Sequence, residues 1–132
     1  MIYTEASWPS HRWPNFTFDE MKCSHTGECF IDDAFMDALQ DLRDNTGPLT
    51  ITSGYRHPTH PAEATKPRPG SHSRGMAADI AVRGGYDIVK AAYAVGMTGI
   101  GISQSNKGAR FIHLDRIPLG DPDIPRPALW SY

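Results

Sequence analysis

The stretch His72-Ser-Arg-Gly75-Met-Ala77-Ala-Asp79-Ile-Ala-Val82 decides how the rest of the chain is read. Its second half, Met76 to Val82, is short and apolar, the pattern of a buried strand. Its first half sets an imidazole seven residues before a carboxylate, His72 before Asp79, with Gly75 and Ala77 between them. For both side chains to reach one ion across bonds of ~2 Å, the chain must fold back on itself. Glycine supplies the backbone freedom for that turn, and Ala77 keeps space clear beside the ion. Asp79, inside the strand, is aimed rigidly. A second segment, Phe111-Ile-His-Leu-Asp115, has the period of a strand: His113 and Asp115 share one face, Ile112 and Leu114 the other.

Outward from these two strands, Thr98–Ile102 and Arg110–Leu114 read as a hairpin joined by the polar turn Ser103–Ala109. Tyr86–Val95 reads as a helix with Ile88, Val89, Ala92 and Tyr93 on one face, set off by Gly84-Gly85 and closed by Gly96. The strongest helix runs from Ile31 to Arg43, where Phe35, Leu39 and Leu42 recur at helical spacing. Asp32 and Asp33 suit its positive N-terminal end, and Gly47-Pro48 stops it. Leu49–Thr52 is a short β-branched strand. Residues 55–75, with four prolines and three histidines, form a long loop of the kind that carries function. Residues 1–20 are expected to be an irregular aromatic arm over the core, and 117–132 a Pro-rich tail. The expected architecture is one α+β domain over 1–132: two main helices against a small, mostly antiparallel sheet.

Apolar residues make 39% and charged residues 21% of the 132, as in an ordinary globular domain. The net charge of −2 gives no field for nucleic acid or an anionic membrane surface, so neither is an expected partner. No run of eighteen apolar residues is present, which argues against membrane insertion. The opening MIYTEASWPS lacks a basic segment followed by an apolar one, so the expectation is synthesis in the cytoplasm without a signal peptide. A monomer is expected. Two cysteines are too few for a disulfide scaffold.

His72, Asp79 and His113 make the three-ligand set expected of one catalytic zinc ion, with a fourth position left for water. Such an ion lowers the pKa of its water toward ~7 and polarises a carbonyl. Asp115 is expected in a catalytic role, either accepting the water's proton or orienting His113. Arg56, in Ser53-Gly-Tyr-Arg56, suits a bidentate clamp on a substrate carboxylate. His57 stands beside it, with substrate contact and simple loop packing equally open. His11, His25 and His60 read as satisfied loop or core groups. Cys23, His25 and Cys29 lack a fourth ligand for a structural zinc, so a local disulfide or two buried thiols is expected.

Taken in order, SGYR at 53–56, HSRGMAAD at 72–79, GIGIS at 99–103 and FIHLD at 111–115, with FTFDEMKC at 16–23, resemble the zinc D-alanyl-D-alanine carboxypeptidase family in its phage-type branch. The similarity spans about residues 15–116, and the family's fold is shared with the hedgehog signalling domain. The resemblance implies zinc on His72, Asp79 and His113, carboxylate recognition by Arg56, and hydrolysis of peptidoglycan peptides. Two positions depart from the family. Gly70 stands where many relatives carry serine, which moves the substrate-side hydroxyl to Ser71. Arg110 stands where several branches place an acidic base. The leading expectation is a zinc metallopeptidase acting on peptidoglycan stem peptides, as a phage lysin or virion-associated enzyme. It would reach the wall through holin-type release, lysis or virion delivery. The alternatives are a non-catalytic zinc-containing wall-binding module of the same fold and a metal-free structural protein.

Overall fold

The computed structural model describes residues 1–132. In chain order the elements are β1 (Ile2–Tyr3), α1 (Phe18–Met21), β2 (Cys29–Phe30), α2 (Asp33–Thr46), β3 (Thr50–Ser53), β4 (Ala77–Ala81), α3 (Tyr86–Ala94), β5 (Gly99–Ser103), β6 (Phe111–Asp115) and β7 (Ala128–Ser131). A five-stranded sheet runs in the order β3-β4-β6-β5-β7, and β1 pairs with β2 in a two-stranded one. In the larger sheet every pairing is antiparallel except β5 with β7, which is parallel. The α+β expectation holds.

Helix α2 begins where an Asp32 carboxylate oxygen accepts the Phe35 N–H at 2.9 Å. It ends at Gly47, whose φ of 89° lets its N–H reach back to the Arg43 carbonyl. The cap moves the start to Asp33, and no breaker intervenes before Gly47, so the helix runs on to Thr46 rather than stopping at Arg43. Its face of Phe35, Met36, Leu39 and Leu42 is fully buried. Helix α3 buries Ile88 and Ala92, but Tyr93, expected on that face, is 64% exposed. Both helices share one core with the inward side chains of the sheet, Ala78, Ile80, Ile100, Ile112 and Leu114. Full burial of each isoleucine or leucine among them contributes ~1.5–3 kcal/mol.

Two regions expected to be irregular are ordered. In the arm, β1 pairs Ile2 with Phe30 and Tyr3 with Cys29. Tyr3, Trp8, Trp13 and Phe16 are buried in the main core. Trp8 donates from Nε1 to the Phe16 carbonyl and Trp13 from Nε1 to Asp37, each at 2.9 Å, so neither indole N–H is stranded. In the tail, residues 128–131 add a strand to the free edge of β5. Isolated two- and four-residue segments have little local signal of their own, and their partners are far away in the chain. Cys23 and Cys29 are buried free thiols rather than a disulfide. Burial pushes the Cys29 thiol up to about 12.

Candidate metal centre

The face of the sheet turned away from the helices carries the polar residues. Register places Asp79 of β4 beside His113 of β6, and His113 beside Gly101 of β5. Asp115 is paired in the same way with Ala77 and Gly99. His72 comes from the loop that crosses this face. Its approach depends on Gly75, where φ is +68° and a Cβ would lie 2.4 Å from the Phe30 carbonyl oxygen. The loop returns on itself through bonds from Arg56 N–H to the His72 carbonyl (3.3 Å) and from Ser73 Oγ to the Arg56 carbonyl (2.7 Å).

Three atoms converge. His72 Nε2 lies 3.2 Å from His113 Nδ1 and 3.3 Å from Asp79 Oδ1, and His113 Nδ1 lies 3.1 Å from Asp79 Oδ1. All three residues are buried. The partners behind each ring decide what faces inward. His72 Nδ1 is 2.7 Å from the Gly54 carbonyl oxygen, which only accepts, so that nitrogen carries the proton and Nε2 presents a lone pair. His113 Nε2 is 2.8 Å from the Asp115 carboxylate, which also receives two N–H groups from Arg126. Nε2 is therefore the donor, and Nδ1 presents its lone pair. Two lone pairs and a carboxylate oxygen within 3.3 Å of one another repel unless a cation lies among them. A tetrahedral ion with bonds of ~2.0–2.1 Å has ligand–ligand edges of ~3.3–3.4 Å, close to the spacing seen. Donor type, tautomers and spacing all fit zinc.

The surrounding charges act in opposed directions. Burial pushes the His72 pKa down, and Asp79 offsets this only in part. Burial also opposes the charged form of His113, but Asp115 and Asp79 outweigh it and raise its pKa, so a proton and a metal compete for Nδ1. For Asp79, burial is outweighed by the two imidazoles beside it, His113 and His72, which hold it well below the usual carboxylate range. Asp115 also resists burial, and Arg126 and His113 bring it to about 2.

Asp115 does not lie among the converging atoms. Its carboxylate lies behind His113, on the Nε2 side, fully buried and bonded to Arg126. Of the two roles expected for it, the position is that of the ring's partner, because a carboxylate already paired with a guanidinium at about 2 has little tendency to take a proton near neutrality. Arg56 touches the centre from the side. Its Nη2 donates to Asp79 Oδ2 at 3.0 Å, Nη1 to Glu63 Oε2 at 3.3 Å and Nε to Ser53 Oγ at 3.0 Å. His57 stands off the centre. Its Nε2 is 3.4 Å from Glu28, and the ring lines a cavity of about 560 Å³ with Tyr3, Phe30, Tyr55 and Ser73. Ser71 is half-buried at the turn before His72, its carbonyl accepting the Met76 N–H.

Three residues near the centre escaped the sequence reading. Glu63, buried in the long loop, receives Arg56, Lys66 and Ser73. Arg126 and Trp130 arrive from the tail. The one advance signal for them was the alternation Gly99-Ile-Gly101, which leaves one face of β5 bare where other groups must pack.

No curated protein matches the chain. A sequence profile of the family described as Peptidase M15 matches residues 14–115, which takes in Arg56, the three converging ligands and Asp115. With that match over more than half its length, the chain belongs to the peptidase M15 family, peptidases of the zinc D-alanyl-D-alanine carboxypeptidase type.

Proposed function

We propose that the protein is a zinc metallopeptidase that hydrolyses an amide bond in peptidoglycan stem peptides, as a carboxypeptidase or an endopeptidase. One observation carries the reading: two imidazole nitrogens and a carboxylate oxygen converge within 3.3 Å of one another, in a chain of a peptidase family. His72, Asp79 and His113 would hold the zinc, which when bound supplies an acidified water and a polarised carbonyl. Asp115 keeps the Nε2 proton of His113 and so keeps its Nδ1 facing inward. Arg56 fixes the outer oxygen of Asp79. Its two terminal nitrogens keep one N–H each for a substrate carboxylate or for the charge that develops on the carbonyl oxygen. His57 and Ser71 would meet the peptide on either side of the loop. Access to the wall would come from holin-type release, lysis or virion delivery.

A second reading is favoured by the burial of Asp115 and by Arg110 in place of an acid. In it the zinc-holding cleft binds wall peptides without cutting them. Mass spectrometry of purified peptidoglycan incubated with the protein, with and without a chelator, separates the two. Chelator-sensitive fragments with new termini are expected, and zinc-loaded protein that releases none would leave only the binding module.

A further inference from the structure

All three ligands lie between residues 72 and 113, yet the orientation of His113 is set by residues later in the chain. Asp115 is fully buried. With only His113 and a long bond from the Ile117 N–H (3.4 Å) as donors, its charge would be poorly compensated in the protein interior. Arg126 supplies what is missing, with Nε 2.9 Å from Oδ1 and Nη2 2.6 Å from Oδ2. These are the two parallel bonds of a guanidinium fork, which fix the carboxylate plane as well as its charge. Oδ2, held in this way, receives Nε2–H of His113.

The same guanidinium lies 5.0 Å from the Trp130 ring, and that ring lies 5.2 Å from His113 at an angle of 48°. His113 is therefore gripped at its outer edge by Asp115 and covered on its face by Trp130, and Arg126 touches both. Strand β5 is built to admit them. A Cβ on Gly99 would lie 2.3 Å from Asp115 Oδ1 and 2.5 Å from Arg126 Nε, and one on Gly101 would lie 2.6 Å from the Trp130 ring.

The segment that delivers these residues is anchored at both ends. Strand β7 sets Trp130 opposite Gly101. Closer to Pro118, Arg74 pairs with Asp121 at 2.6 Å, and Arg68 pairs with Asp123. Those two arginines belong to the loop that carries His72. The segment thus joins the loop of one ligand to the strand of another.

We infer that residues 117–132 are a strap that completes the metal centre, in which Arg126 is a positioning residue acting on His113 through Asp115, with Trp130 as the cover. The family match ends at residue 115, so residues 117–132 lie outside it. The inference rests on the zinc reading of the centre and is independent of which bond, if any, is cut.

The test is a cycle of four full-length chains: wild type, Asp115→Asn, Arg126→Gln and the double variant. Zinc affinity is read by competition with a chromophoric chelator, the Co²⁺-loaded visible spectrum reports ligand geometry, and melting in excess chelator reports the fold without metal. Loss of such a ligand-orienting partner weakens metal binding by ~10–100-fold, and that is the loss expected for Arg126→Gln, with altered Co²⁺ bands. In the Asp115→Asn background the further loss should vanish, because the route through residue 115 is already cut. Should Arg126→Gln not fold, Arg126→Lys keeps the charge without the fork and should still weaken zinc and shift the bands. An Arg126 variant with zinc affinity within ~2-fold of wild type and an unchanged spectrum would overturn the inference, as would an equal penalty in both backgrounds. A wild-type chain that holds zinc and cleaves no wall peptide removes the peptidase reading and leaves this one standing.

Discussion

The two faces of the five-stranded sheet are made by the same strands, one residue out of step. Ile80, Ile100, Ile112 and Leu114 meet the helices, while Asp79, Gly99, Gly101, His113 and Asp115 meet the loop and the strap. The first face needs volume. Its energy is summed over many interchangeable contacts, so it tolerates exchange of one apolar residue for another of similar size. The second face needs atoms at positions. It buries two carboxylates, which weakens folding unless each is paired: Asp115 receives His113 Nε2–H and Arg126, and Asp79 receives Arg56. Stability and chemistry are thus divided between the faces, and substitutions at neighbouring residues should separate them.

The largest effect is expected from His113→Ala on the polar face. Zinc by elemental analysis should fall to trace and peptide hydrolysis to background, with a native far-ultraviolet dichroism spectrum. Stoichiometric zinc in this variant would show that the centre lies elsewhere. One residue on, Leu114→Ala should do the reverse. A loss of ~2–5 kcal/mol in urea unfolding is expected, with zinc stoichiometry kept in the folded protein. If Leu114→Ala released zinc without loss of stability, the division of labour between the faces would fail.

Acid should sharpen the contrast further. Folding lowers the Asp115 pKa from 3.8 to about 2, so the carboxylate stabilises the fold above pH ~4, and this is lost as pH falls toward 2, about 2 kcal/mol in all. Acid unfolding of chelator-treated protein should show that limb, and Asp115→Asn should flatten it. An unchanged limb would mean that Asp115 is not the group responsible. The smallest effect belongs to a residue on neither face. Arg12 pairs with Asp33 and Asp37 at the surface, 44% exposed, and Arg12→Ala should leave zinc content unchanged and the melting midpoint nearly so. A substantial drop would show that the aromatic arm depends on this pair.

Much of this arrangement was legible before any coordinates. Helix α2 showed in the spacing of Phe35, Leu39 and Leu42, the hairpin of β5 and β6 in two alternating runs around a polar turn, and the convergence of His72, Asp79 and His113 in the spacing of the first two against the alternation at the third. Each is a local pattern whose period matches its element. Strands β1 and β7 were misread for a common reason: what decides each is a partner far along the chain. Glu63 and Arg126 sit in proline-rich stretches with no period to read, and only the folded loop and strap bring them to Arg56 and Asp115.

Along Phe111–Asp115, the sequence by itself determined that an imidazole and a carboxylate share a face opposite two core residues, because the direction of a side chain on a strand is a local property of the backbone. The tertiary structure alone decided that Nδ1 of His113 faces the centre and that Asp115 lies behind the ring. Both depend on a guanidinium eleven residues beyond Asp115, and its place is set by strand pairing and ion pairs that span the fold.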